Sequence, residues 1–77
     1  MRTIVVKGRI DEDLMERLEN RLGDLIEGFR EVTATHSSTN VVVEEDVWGA
    51  LKVLTEEGCE IEAIHVWARK VSSHLSL

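Results

Sequence analysis

The stretch IEAIHVWARK, Ile61 to Lys70, decides how this chain is read, because it supplies the last strand of the pattern. Its odd positions carry Ile61, Ala63, His65, Trp67 and Arg69, and its even positions Glu62, Ile64, Val66, Ala68 and Lys70. Both sets are largely apolar, so alternation alone does not say which face is hidden. Three registers follow. With Cys59 and Ile61 beneath the second helix, His65 and Trp67 become core residues. With Ile64, Val66 and Ala68 facing the helices, His65, Trp67 and Arg69 stand on the opposite face beside Val5 and Lys7. A bulge can also switch sides midway. The second register is preferred here, because Lys7, Arg9 and Arg69 need solvent and share parity with Val5 and Trp67.

Upstream, TIVVKGRI (Thr3 to Ile10) is short and β-branched, hence a strand. Asp11 is an N-cap, with Glu12 and Asp13 favourable at the positive end of a helix dipole. Leu14, Leu18, Leu22, Leu25 and Ile26 recur at helical spacing, predicting a helix over Asp11 to Glu27 with Gly28 as its stop. FREVTATH (Phe29 to His36) alternates as a second strand, SSTN (Ser37 to Asn40) supplies turn residues, and NVVVEE (Asn40 to Glu45) is a third strand. Asp46 caps a second helix whose Val47, Ala50, Leu51 and Leu54 share a face, and Gly58 ends it. The last strand runs from Cys59 to Val71. The order β-α-β-β-α-β predicts a ferredoxin-like α+β fold, a four-stranded antiparallel sheet in order four-one-three-two with both helices on one face. One domain spans residues 1–71, and 72–77 form a flexible C-terminal tail.

In that architecture the face away from the helices should turn polar. Ile4, Val5 and Val6 in the first strand, and Val41, Val42 and Val43 in the third, instead form continuous aliphatic runs on the two central strands. Such runs are what strands show when both faces are buried. The reading is that something covers the open face, most simply a second copy of the chain. Val5, Lys7, Val42, His65, Trp67 and Arg69 are the candidate interface or ligand-binding residues. Trp48, two residues into the second helix, is expected to be half-buried or in a subunit contact.

Composition constrains the alternatives. The chain has 77 residues, 43% of them hydrophobic, no proline and a net charge of -6, which opposes binding to nucleic acid or an anionic membrane through the whole surface. A single cysteine, Cys59, rules out an intrachain disulfide or a thiol-built zinc site and reads as an inert small hydrophobe. Together with the absence of a signal-like apolar start, this leads to a cytoplasmic expectation. His36 and His65 fall on opposite sheet edges, ~14 Å apart, too far for one metal ion within a monomer. No phosphate-binding glycine loop, CxxC pair or nucleophile elbow is present, so no metal, cofactor or catalytic residue is assigned. The hydroxyl-rich TATHSSTN reads as an ordinary hairpin. Base stacking on the sheet would need aromatics on the central strands, which carry valines.

The layout resembles that of small-molecule-binding regulatory domains of the ACT type. The connection KGRIDED (Lys7 to Asp13) departs from them in lacking a proline-glycine turn, so no ligand residues are carried over. The expectation is a non-enzymatic, self-associating binding or regulatory module using its open sheet face. The alternatives are a small anionic ligand bound at a dimer interface by Lys7, His65, Trp67 and Arg69, and a cofactor-free dimeric enzyme with a histidine general base.

Overall fold

The structure is a computed structural model that describes residues 1–66. Six elements follow one another: β1 (Arg2–Lys7), α1 (Glu12–Leu25), β2 (Phe29–Ala34), β3 (Ser38–Val43), α2 (Val47–Glu56) and β4 (Ile61–Val66). The strands pair antiparallel in the spatial order β2-β3-β1-β4, which with two helices is the ferredoxin-like α+β arrangement. The expected boundary at residue 71 and the tail 72–77 lie outside the described residues.

Local chemistry sets the helix ends. Asp11 accepts the Leu14 N–H at 2.8 Å, and Asp46 accepts that of Gly49 at 2.9 Å, so both carboxylates cap as their positions imply. α2 closes in a Schellman turn. Gly58, at φ +82°, donates to the Thr55 carbonyl at 3.0 Å, and Cys59 donates to that of Leu54 at 2.9 Å. α1 stops two residues short of the expected Glu27. Ile26 already has extended backbone and turns into the core, 5% exposed, while Leu25 is left 60% exposed. Gly28 then carries the chain to β2 at φ +86° and accepts the Glu44 N–H at 2.9 Å.

One core lies between sheet and helices. Ile4 and Val6 of β1, Val32 of β2, and Val41 and Val43 of β3 pack against Leu18 and Leu22 of α1 and Ala50, Val53 and Leu54 of α2. Thr39 shares the parity of Val41 and is fully buried in that layer. Its hydroxyl donates to the Gly8 carbonyl at 3.2 Å and accepts the Ile10 N–H at 3.2 Å, tying the β1–α1 connection onto β3. The hairpin turn is therefore not SSTN. It falls at 35–37, where Thr35 Oγ1 accepts the Ser38 N–H at 3.2 Å, and Ser38, Thr39 and Asn40 are already strand.

The question raised by β4 resolves through a bulge. Val5 pairs with Ala63 but Val6 pairs with Ile61, so one extra residue, Glu62, enters at that point. Before it, Cys59 and Ile61 pack against the core; after it, Ile64 pairs with Ile4 on the helix side. The strand is apolar at both parities because parity changes partway, not because both faces are buried at once.

Candidate functional site

Register places the side chains of the open face. On β1 these are Thr3, Val5 and Lys7, and on β3 their partners Val42, Asn40 and Ser38. β2 adds Glu31 opposite Val42 and Thr33 opposite Asn40. β4 adds His65 opposite Thr3 and Ala63 opposite Val5. At the centre are Val5, Val42 and Ala63, all half-buried, within a frame of hydroxyl, amide and charged groups. Diagonal neighbours on adjacent strands sit roughly 7–8 Å apart, so Val5 and Val42 form one small apolar patch. Thr3, flanked by Val42 and His65, is covered to 9% exposure. This face is more polar than its three-valine runs imply, because in each run the outer two valines or isoleucine point to the helices.

Of the six expected site residues, Val5, Lys7, Val42 and His65 share the open face. Lys7 and His65 lie towards opposite ends of it, four residues apart in register. Lys7 is exposed and forms an ion pair with Glu60 at 3.5 Å. Trp67 and Arg69 lie outside the described residues. His36 is exposed in the turn joining β2 and β3, and His65 is on the opposite edge strand.

Apolar side chains more exposed than these lie elsewhere. Ile64 (42%) and Val66 (66%) stand on the helix side of β4, and Trp48 is 82% exposed on α2, so it is not half-buried.

A second concave feature separates the helices. A cleft of about 310 Å³ is floored by Ile26, Gly49 and Val53 and rimmed by Arg21, Leu25 and Lys52. A Cβ at Gly49 would come within 2.7 Å of Ile26 Cδ1 and 2.5 Å of the Asp46 carboxylate, so a side chain there would have to displace the tip of Ile26 and the capping carboxylate. Beside the cleft, Arg21 donates to Glu56 at 2.7 Å and to Glu57 at 3.2 Å, and Arg17 donates to Glu57 at 3.2 Å. Hydrogen bonds from Arg17 and Arg21 hold the Glu57 carboxyl below its usual range, and bonds to Glu56 and then Glu57 raise the Arg21 guanidinium. This network clamps α1 to α2 and was not singled out from sequence, since its members are far apart in the chain. Thr39 was placed in the turn by the sequence reading, although its alternation with Val41 and Val43 is the signal that could have found it.

The Cys59 thiol is half-buried against the core, and burial pushes it up, with Glu57 adding to the effect. Among the described residues no cluster of three or more His, Cys, Asp or Glu side chains could hold a metal ion, and no helix is long and apolar enough to cross a membrane. Comparison with protein-family models, with curated proteins and with solved structures finds no match to the chain.

Proposed function

We propose that this chain is a non-enzymatic, self-associating binding or regulatory module, acting in the cytoplasm, whose open sheet face meets a second copy of itself. The observation that carries the reading is the apolar centre of Val5, Val42 and Ala63 inside a polar frame. Interfaces are organised in this way, with a fully buried apolar core and a wet polar rim. The patch lies mainly on β1 and β3, the two central strands of the sheet. Charge favours a second copy as the occupant. The face carries Lys7, paired with Glu60, together with Glu31 and His65, so it holds groups of both characters for a second face to meet. A small domain also gains stability by covering apolar surface in a dimer.

Sedimentation velocity over a range of concentrations tests this. The expected result is a species of twice the 8.7 kDa chain mass that dissociates on dilution. A chain that remains monomeric at high micromolar concentration overturns the reading.

A further inference from the structure

We propose that the cleft between the helices binds a small carboxylate with an apolar body, its anionic head held by Lys52 and its body laid against Leu25, Ile26 and Val53. The cleft lies on the helix side of the sheet, so the proposal stands apart from the open face and from any self-association through it. Its volume, about 310 Å³, falls at the lower end of the range of small-molecule sites, roughly 300–1,000 Å³. Its apolar wall arises from the way α1 ends. Leu25 belongs to the leucine stripe of α1, but the helix stops there and Ile26 takes the inward place. Leu25 is left largely exposed along a concave surface, beside a floor of nearly covered Ile26 and Val53. Apolar surface gathered in this way is what the body of a ligand removes from water.

Charge selects the head group. Arg21, Asp46, Lys52 and Glu56 are the charged groups of the lining, and three of them are already committed. Arg21 donates to Glu56 at 2.7 Å and to Glu57 at 3.2 Å. Asp46 accepts the Gly49 N–H at 2.9 Å and sits at the positive start of α2, which offsets its charge. Lys52 is exposed, and among the described residues its ammonium forms no ion pair or hydrogen bond. The unmatched charge of the cleft is therefore positive, although the chain as a whole carries -6. Gly49, Lys52, Val53 and Glu56 recur at helical spacing, so one face of α2 presents the ammonium and the apolar floor together. A singly charged anion joined to a hydrocarbon body matches both. A dianion fits less well, because the carboxylates of Asp46 and Glu56 share the rim. A cation finds both carboxylates already neutralised.

The experiment is a titration of the nitrogen-15-labelled chain with hydrocinnamate, followed through its amide resonances, with phenylpropylammonium as the probe of opposite charge. Hydrocinnamate is expected to give saturable shifts centred on Leu25, Ile26, Gly49 and Lys52, with a dissociation constant of about 1–10 mM, the affinity open to so small a probe. Phenylpropylammonium is expected to bind about tenfold more weakly, since attraction by Lys52 becomes repulsion. Lys52→Gln is expected to weaken hydrocinnamate about threefold, the effect of one exposed ion pair, and Lys52→Arg to retain it. Both positions of contact are exposed, so Lys52→Gln and Leu25→Ala leave the fold in place, and Leu25→Ala is expected to weaken the two probes alike. A titration that has not begun to saturate by ~20 mM overturns the site. So do shifts centred elsewhere, equal binding of the two probes, or a Lys52→Gln protein that binds hydrocinnamate as the parent does.

Discussion

Thr39 shows how one side chain fixes a connection that no helix or strand pairing would hold. Buried at 0% exposure, it satisfies both the Gly8 carbonyl and the Ile10 N–H. Thr39→Val keeps the shape and leaves both backbone groups without their partner, which costs about 1–3 kcal/mol in denaturant unfolding. Thr39→Ser, retaining the hydroxyl, is expected to cost less. Two glycines make a sharper contrast. Gly28 has φ +86°, and a Cβ there would lie 2.9 Å from Glu44 Cβ, so Gly28→Ala is expected to destabilise by ~1 kcal/mol or more. Gly23 is exposed within α1 with nothing near its Cβ position, so Gly23→Ala is expected to stabilise by up to ~1 kcal/mol through helix propensity. Thermal melts of the two variants, shifting in opposite directions, check the pair. By the same reasoning Ser38→Gly is expected to destabilise the fold. Ser38 begins β3, its backbone closes the turn onto Thr35, and its hydroxyl lies 2.9 Å from that of Thr35.

Among the elements, the two helices are joined by Arg17, Arg21, Glu56 and Glu57 as well as by their apolar faces. The folded Glu57 carboxyl titrates below its ordinary range because Arg17 and Arg21 donate to it. A carboxyl depressed in this way contributes stability above its unfolded value and loses it as pH falls through the folded one. The parent is therefore expected to lose more stability than Glu57→Gln between neutral pH and the acid side of the glutamate range, measured by urea unfolding at each pH. Equal pH slopes would remove the network from the account. Element order, both N-caps and the Gly58 stop were readable because each rests on residues adjacent in the chain. The register of β4 was not, since the bulge at Glu62 depends on how β4 meets β1, and both parities of IEAIHV satisfy a strand locally. The turn at 35–37 was misplaced for a related reason. Ser and Thr favour turns in general, but here Thr39 gains more by facing inward, where it bonds the β1–α1 connection.

For the whole molecule, the four-stranded sheet and its helix-covered core were legible from the spacing of the leucines and valines. The open face was legible only in part. Val5 and Val42 lie on it with Lys7 and His65, but Ile64, Val66 and Trp48, the more exposed apolar groups, lie on the other side of the molecule. That distribution makes two surfaces available for association, and a charge placed on each distinguishes them. Val5→Glu puts a carboxylate at the centre of the open face, where a dimer would bury it without a partner. Val66→Glu does the same on the helix side of β4, and Glu62→Lys changes charge at the exposed bulge. The decisive measurement is size-exclusion chromatography with light scattering on these three proteins and the parent, with circular dichroism confirming that each is folded. The parent, Val66→Glu and Glu62→Lys are expected to run as dimers and Val5→Glu as a folded monomer. A monomeric parent, a Val5→Glu protein that stays dimeric, or dissociation by Val66→Glu alone would contradict the open face as the surface of self-association.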